Sequence, residues 1–249
     1  MSTVRIVSVL LGASRPVAWL GVCKVGCVTE LRAVLLDIDG TLVDSNDAHA
    51  DSWRVALDHF GHRVAFERVR ALIGKGGDKL LAELTGIDVE SAIGAEIEKF
   101  RGKLFTRDYL PKIRPFPSVR ELLMRLRADG LRLVVATSAK SSDMDALLEI
   151  SGARDLVHER TSSDDASNSK PDPDIIRAAL KKAGALPSEC LMLGDTPYDV
   201  EAASRAGVST VALRCGGWQA ADLGGAVAIY ADPADLLSRY DTSSFATRD

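Results

Sequence analysis

From residue 31 onward the chain alternates short apolar runs with longer amphipathic stretches. This order is typical of βαβ units, in which the apolar runs form parallel strands and the intervening helices cover both faces of the sheet. The runs that predict strands are Ala33–Leu36, Leu131–Ala136, Cys190–Leu193, Ser209–Leu213 and Ala226–Tyr230. The sequence therefore predicts an α/β fold whose core is a Rossmann-like, doubly wound parallel sheet.

One interval is too long for this pattern. Far more residues separate the first predicted strand from the second than a single crossover helix requires. No strand pattern occurs within residues 47–110, and an apolar stripe at helical spacing begins at Trp53. Helices are predicted in this interval over residues 47–60, 66–73, 76–85 and 89–107. We therefore expect an α-helical cap domain inserted after the first strand.

The two ends of the chain do not fit the α/β pattern. The first 30 residues are apolar and weakly basic, but an Arg–Pro pair and Lys24 interrupt them. They are too interrupted to span a bilayer, and we predict a poorly ordered extension, with a targeting signal as the alternative. The predicted organisation is an extension at 1–30, a core at 31–46 and 111–240, a cap at 47–110 and a polar tail at 241–249.

Charge and cysteine content exclude several classes of protein. The chain has 31 Lys and Arg against 35 Asp and Glu, a net charge of −4, so it lacks the basic footprint of a nucleic-acid-binding protein. Its 4 cysteines are too few for a disulfide scaffold of this length. We expect a cytoplasmic protein, monomeric or homodimeric, that contacts neither nucleic acid nor membrane and acts on a small molecule.

Two carboxylates follow the first predicted strand, in the segment LLDIDGTLVD. Ligands of open α/β sheets bind at the carboxyl ends of the strands, where Asp37 and Asp39 lie. Side chains one residue apart on an extended segment point to opposite sides, but a turn at Gly40 can direct both into one cleft. The alternative is an ordinary Asp-rich turn. The pair is a candidate for acid–base or nucleophilic chemistry.

Polar groups also follow three later segments. Thr137 and Ser138 end the second predicted strand, where hydroxyl and backbone N–H groups suit phosphoryl oxygens, although such residues also cap helices. Lys170 precedes a proline in a polar loop and is placed to neutralise a bound anion. Asp195 and Asp199 follow the strand at 190–193. Acidic oxygens from two strand ends form a hard site that suits Mg²⁺.

In this order, the four segments resemble the motifs of the haloacid dehalogenase superfamily. The match covers DxDGT, the Thr137 strand end, the Lys170 loop and GDxxxD, and the resemblance extends from about residue 31 to residue 240. The helical insertion after the first motif is similar to the C1 cap of the subgroup that contains phosphoglycolate phosphatase and β-phosphoglucomutase. This resemblance implies a phosphatase, because enzymes of the superfamily that cleave phosphate esters carry an acid at the position of Asp39.

The resemblance implies a role for each motif residue. Asp37 is the expected nucleophile and Asp39 the expected general acid and base. Mg²⁺ is expected to bind Asp37, the backbone carbonyl of Asp39, Asp195 and, directly or through water, Asp199. The expected ligands of the phosphoryl group are Thr137, Ser138 and Lys170. We predict an Mg²⁺-dependent phosphatase acting through an aspartyl-phosphate on a small phosphorylated metabolite similar to phosphoglycolate or a sugar phosphate.

The cap and its hinge leave alternatives open. Lys75, in the cap segment LIGKGGDKL, is a candidate for pairing with a second anionic group of the substrate, or is a solvated lysine. His49 occupies the position of the hinge histidine of β-phosphoglucomutase, but this histidine also occurs in phosphatases. A phosphohexomutase is therefore the main alternative. A phosphonatase, or a binding protein without catalysis, is less favoured because Asp37 and Asp39 are both present.

Overall fold

A computed structural model describes residues 30–246. The predictions for the N-terminal extension lie outside the described residues, except at Glu30. None of the helices formed within residues 30–246 is long and apolar enough to cross a membrane.

The core is one parallel sheet of six strands. The strands are β1 Ala33–Leu36, β2 Arg132–Ala136, β3 Glu159–Thr161, β4 Cys190–Gly194, β5 Ser209–Leu213 and β6 Ala228–Tyr230. Their order in the sheet is β3-β2-β1-β4-β5-β6, and every neighbouring pair is parallel. The first strand lies in the middle, between β2 and β4, and the order reverses there. The predicted doubly wound α/β fold is confirmed.

The strand β3 is not predicted by the apolar pattern. It has only 3 residues, Glu-Arg-Thr, and the first two are exposed because the strand lies at the sheet edge. Its sequence therefore carries neither an apolar run nor an alternation.

Alternate residues of the central strands enter different cores. Val34 and Leu36 pack into one hydrophobic cluster, whereas Ala33 and Leu35 pack into another on the opposite face. Because successive side chains of a strand point to opposite faces, both faces of the sheet are buried, and the strands are apolar throughout. The core helices are α5 Val119–Ala128, α6 Ser141–Ser151, α7 Asp174–Ala183, α8 Pro197–Arg205 and α9 Pro233–Ser238.

The long interval after β1 folds into helices with a core of their own. Trp53 packs with Leu57, Leu80 and Ile97 in a separate hydrophobic cluster. Each helix of this cap thus buries an apolar stripe against its neighbours. The cap helices are α1 Asn46–His59, α2 Phe66–Arg70, α3 Gly77–Thr85 and α4 Ala92–Leu104, followed by a π-helical turn at Phe105–Tyr109.

The end of the described chain belongs to the core rather than to a polar tail. Tyr240 and Phe245 are buried and pack into the larger sheet cluster. The prediction of a polar tail from residue 241 is therefore wrong at Phe245. A single aromatic residue in a polar stretch produces no periodicity, so its burial depends on the surface that the sheet and its helices present.

Candidate active site

The carboxyl ends of three adjacent strands form the floor of the site. Asp37 follows β1, Thr137 follows β2 and Asp195 follows β4, and β1 lies between the other two. Parallel pairing in register places these three residues at the same edge of the sheet. The topology therefore brings together motifs that are far apart in the sequence, as the fold class predicts.

A buried lysine joins two of the predicted carboxylates. Lys170 is 1% exposed, and its Nζ donates hydrogen bonds of 2.7 Å to Oδ1 of Asp37 and 2.7 Å to Oδ1 of Asp199. Desolvation by burial opposes the charge of this lysine, but the two carboxylates outweigh it and raise the pKa of Lys170. The lysine therefore stays protonated beside Asp37.

Asp199 is held by its own helix terminus as well as by the lysine. It lies in the first turn of α8, where its Oδ2 accepts hydrogen bonds from the backbone N–H and the hydroxyl of Thr196. Thr196 in turn accepts from the backbone N–H of Asp199 and completes a capping box. Because both oxygens of Asp199 already have donors, this residue is well placed to hold Lys170 in position.

Neutral donors surround the carboxylate of Asp195, which is fully buried. The hydroxyl of Thr41 donates to Oδ1 at 3.0 Å, and Nδ2 of Asn46 donates to Oδ2 at 2.8 Å. Burial raises the pKa of Asp195 well above its ordinary value, and repulsion from Asp199 and Asp37 raises it further.

The three carboxylates Asp37, Asp195 and Asp199 each have an oxygen within 4.8 Å of the others. Oxygen-rich clusters of this kind suit a hard divalent cation such as Mg²⁺. The raised pKa of Asp195 also favours a cation at this position, because a cation would offset the repulsion between the carboxylates that makes the ionised form unfavourable. The donor set therefore fits the predicted metal.

Asp39 is held from the cap side. Its Oδ1 accepts hydrogen bonds from the hydroxyl of Ser45 and, at 2.7 Å, from Nε2 of His49. The guanidinium of Arg101, on α4, contacts Nδ1 of the same histidine, and the imidazole stacks on the ring of Phe105. Burial raises the pKa of Asp39, but His49, Ser45 and Arg101 together hold it below its ordinary value.

The strand-end hydroxyls lie on the core side of the site. Thr137 is buried, and its Oγ1 accepts a hydrogen bond of 3.1 Å from the backbone N–H of Ala139. The hydroxyl of Ser138 is buried and has no hydrogen-bond partner among the described residues. Both residues line the same cavity as Asp37 and Asp39. An unpartnered buried hydroxyl beside a carboxylate pair suits the oxygens of a bound phosphoryl group.

The cavity has a volume of about 800 Å³ and lies between the cap and the core. The core supplies Asp37 and Asp39, and the cap supplies Trp53, Arg101 and the loop around Lys75. This volume lies within the range of small-molecule sites. A cavity lined by both units would close around a ligand only while the cap is docked.

Lys75 lies in the cavity wall but contacts none of the predicted catalytic residues. Its Nζ pairs with Glu83 of α3 and lies 5.1 Å from the centre of the Tyr198 ring, which belongs to α8. Lys79 reaches the core instead and donates to the backbone carbonyl of Ser169 at 2.6 Å. One cap lysine therefore contacts α8 of the core, and the other contacts the loop that contains Lys170.

Three further residues contact the site without having been predicted as site residues. Asn46 and Thr41 both donate to Asp195, and Arg101 contacts His49. Thr41 has a signal in the sequence, because it stands inside the DxDGT segment. The other two are polar residues in helices, where a polar residue ordinarily faces solvent.

Comparisons with known proteins agree with this geometry. Residues 34–213 match the haloacid dehalogenase-like hydrolases. The chain is 32% identical over 216 residues to a phosphoglycolate phosphatase from Rhodospirillum rubrum, covering 82% of this chain and 89% of that protein. A crystal structure of a hydrolase from Pseudomonas syringae has a TM-score of 0.80 and 32% identity, covering 87% of this chain and 100% of that one.

A more distant structure shares the fold alone. The β-phosphoglucomutase from Clostridium difficile is 17% identical, with a TM-score of 0.75, and the match covers 86% of this chain and 97% of that one. The family match covers most of the described residues, and its relatives include proteins named as phosphatases. The chain therefore belongs to the haloacid dehalogenase-like hydrolase family, as an enzyme of the phosphatase type.

Proposed function

We propose that this protein is an Mg²⁺-dependent phosphatase that hydrolyses a small phosphorylated metabolite through an aspartyl-phosphate on Asp37. The observation that carries the proposal is the arrangement of two carboxylates with different surroundings in one cavity. Asp37 is held by the cationic Lys170, and Asp39 is held by the neutral and cap-side donors Ser45 and His49. Two carboxylates in different environments can take different roles in one reaction.

In the first step, an oxygen of Asp37 attacks the phosphorus atom. A bond forms between that oxygen and phosphorus, the bond from phosphorus to the leaving oxygen breaks, and the leaving oxygen takes a proton from Asp39. Lys170 offsets the negative charge that builds up when an anion attacks an anion. The backbone and hydroxyl groups at Thr137 and Ser138 would hold the phosphoryl oxygens.

In the second step, Asp39 acts as a base. It removes a proton from the water that attacks the aspartyl-phosphate, and inorganic phosphate leaves while Asp37 is regenerated. Both hydrogen-bond donors to Asp39, Ser45 and His49, bind Oδ1. Oδ2 therefore remains the oxygen that can carry the proton between the leaving group and the water.

The cation would be held by Asp37, the backbone carbonyl of Asp39 and Asp195, with Asp199 nearby. When bound, Mg²⁺ supplies positive charge that stabilises the phosphoryl group during its transfer. The cluster of carboxylates within 4.8 Å of one another supports this assignment.

The substrate is proposed to be similar to phosphoglycolate or a sugar phosphate. The cavity of about 800 Å³ leaves space for a leaving group larger than the phosphoryl group itself. A phosphohexomutase is the second candidate, because His49 occupies the sequence position of the hinge histidine of β-phosphoglucomutase and contacts Asp39. A mutase would isomerise a sugar phosphate and release little inorganic phosphate.

The test begins with hydrolysis of p-nitrophenyl phosphate. We expect turnover with Mg²⁺, none after treatment with EDTA, and recovery when Mg²⁺ is restored. Asp37→Asn should abolish turnover, whereas Asp44→Asn, at an exposed aspartate of the same segment, should retain it. In H₂¹⁸O, the label should appear in the released inorganic phosphate and not in the Asp37 carboxylate, because water attacks the phosphorus atom of the aspartyl-phosphate and the bond from phosphorus to the Asp37 oxygen breaks. Direct attack of water on the substrate would label the phosphate in the same way. The sharper readout is therefore trapping of a ³²P-labelled protein.

The labelled protein should form with wild type and with Asp39→Asn and should be absent with Asp37→Asn. Turnover by Asp37→Asn equal to that of wild type would overturn the nucleophile assignment. Assays with phosphoglycolate, hexose phosphates and nucleotides, each followed by phosphate release and by isomerisation, separate the phosphatase from the mutase.

A further inference from the structure

A buried asparagine at the start of the cap contacts the proposed cation site. Asn46 is the first residue of α1 and is 2% exposed. Its Nδ2 donates to Oδ2 of Asp195 at 2.8 Å and to the backbone carbonyl of Gly216 at 3.1 Å. An amide nitrogen has two hydrogens, so both are used, and the orientation of the amide is fixed.

The carboxylate of Asp195 has little freedom to rotate. A Cβ atom built on Gly40 would lie 2.1 Å from Nδ2 of Asn46 and 2.3 Å from Oδ2 of Asp195. A Cβ atom on Gly216 would lie 1.7 Å from the same carboxylate oxygen. The amide and the carboxylate are therefore enclosed between two glycine backbones, and the donors from Asn46 and Thr41 set the plane of the carboxylate.

The other end of the amide has no partner. Oδ1 of Asn46 is buried and accepts no hydrogen bond among residues 30–246. A buried acceptor without a donor is unfavourable, and such oxygens in native structures are usually paired with protein or water. Mg²⁺ keeps several of its water molecules when it binds to carboxylates. When a cation is bound, such a water molecule could donate to this oxygen.

We infer that Asn46 is a positioning residue for the cation, because its Nδ2 orients the Asp195 carboxylate that would hold the cation. This role rests on the proposed cation site. Partners that orient a metal ligand contribute to metal affinity without touching the metal, and their removal typically weakens binding 10- to 100-fold.

Arg70, the last residue of α2, provides a matched control because it contacts the same Gly216 loop. Its guanidinium also donates to the carbonyl of Gly216, and its Nε pairs with Asp47 at 2.6 Å. Unlike Asn46, it has no hydrogen bond to Asp195. Arg70→Ala therefore removes one donor from the Gly216 loop but leaves the carboxylate and its donors in place.

The experiment measures Mg²⁺ binding without substrate. Wild type, Asn46→Ala, Asn46→Leu and Arg70→Ala are titrated with MgCl₂ by isothermal calorimetry, and thermal unfolding is recorded in EDTA and at saturating Mg²⁺. Leucine has the branched shape of asparagine but no donor or acceptor, so it keeps the volume. We expect Kd for Mg²⁺ to rise about tenfold or more in both Asn46 variants and to stay within about twofold of wild type in Arg70→Ala.

The outcomes separate this role from a structural one. If the Asn46 variants unfold at a lower temperature in EDTA but bind Mg²⁺ as wild type does, Asn46 is structural only and the inference is wrong. An equal loss of affinity in Arg70→Ala would assign the effect to the loop and also overturn it. If wild type itself binds no Mg²⁺, the proposed cation site fails and this role fails with it. If a variant does not fold in EDTA, its unfolding temperature is measured over a series of Mg²⁺ concentrations. Stabilisation at the same Mg²⁺ concentrations as in wild type would also overturn the inference.

Discussion

Nε2 of His49 lies 2.7 Å from Oδ1 of Asp39, and the guanidinium of Arg101 contacts the other ring nitrogen, Nδ1. A guanidinium can only donate hydrogen bonds, so Nδ1 accepts and Nε2 carries the hydrogen that is donated to Asp39. Arg101 belongs to α4 of the cap, whereas Asp39 follows β1 of the core. A cap residue therefore determines how the histidine presents its hydrogen to the proposed general acid and base.

This contact predicts that removal of His49 affects leaving groups unequally. In His49→Ala, Asp39 loses a donor that orients it, so protonation of the leaving oxygen should become slower. We expect kcat/KM to fall roughly 10- to 100-fold with an alkyl phosphate and much less with p-nitrophenyl phosphate, whose leaving group needs little protonation. The control is His59→Ala, at an exposed histidine of the same helix. An equal loss with both substrates would contradict this interpretation.

A second prediction concerns the buried lysine. In Lys170→Met, the carboxylates of Asp37 and Asp199 lose the ammonium that both contact at 2.7 Å. Leaving a buried charge without its partner costs about 3 kcal/mol or more, so the free energy of unfolding in EDTA should fall by that amount, and turnover should be lost. Urea denaturation measures the change.

The control for the lysine is a pair at the surface. Lys182 is 33% exposed and contacts Asp165 at 2.8 Å. An exposed pair contributes less than about 1 kcal/mol, so Lys182→Met should leave stability and turnover close to those of wild type. Equal losses of stability in Lys170→Met and Lys182→Met would show that burial of the Lys170 ion pairs does not cause the destabilisation.

A third prediction concerns the contact between the cap loop and the core. A Cβ atom on Gly76 would lie 2.2 Å from Cβ of Ser169, next to the catalytic lysine loop. Gly76→Ala should therefore displace the docked cap, and kcat/KM should fall roughly tenfold or more because small displacements are costly in an active site. Gly102→Ala is the matched control, since a Cβ atom there meets nothing within 4 Å. The prediction fails if both variants retain the same kcat/KM.

A fourth prediction tests the burial of the C-terminal segment. Phe245 is fully buried in the larger hydrophobic cluster. Its truncation in Phe245→Ala should lower the free energy of unfolding by about 3–5 kcal/mol, as measured by urea denaturation, because burial is lost and a cavity remains. The neighbouring Ser244 is exposed, and Ser244→Ala should change stability by less than about 0.5 kcal/mol. Similar values for both variants would mean that this segment contributes nothing to the core.

Burial and apolar composition explain why the sequence pattern predicts β1 and β5 but not β3. β1 and β5 have the predicted bounds, Ala33–Leu36 and Ser209–Leu213, because central strands of a parallel sheet are apolar on both faces. β3 lies at the edge, where only Thr161 is buried, so its three residues look like a loop. The apolar signal therefore measures burial and not strand formation itself.

The α/β fold, the helical insertion and the strand-end positions of Asp37, Thr137 and Asp195 can all be predicted from the amino-acid sequence alone. These depend on local patterns, since apolar periodicity reports which segments are buried and parallel strands place their carboxyl ends at one edge. A residue at the carboxyl end of a central strand therefore lies at the site edge of the sheet, however the cap packs.

The contacts between side chains of the site depend instead on tertiary packing. Asn46 and Asp195 are 149 residues apart, and Arg101 and His49 are 52 apart. Each contact requires a polar residue of a cap helix to be buried against a distant element, and periodicity predicts such a residue to face solvent. The partners of a buried polar group depend on how the cap docks on the sheet, because only that packing brings a donor within hydrogen-bond distance of its acceptor.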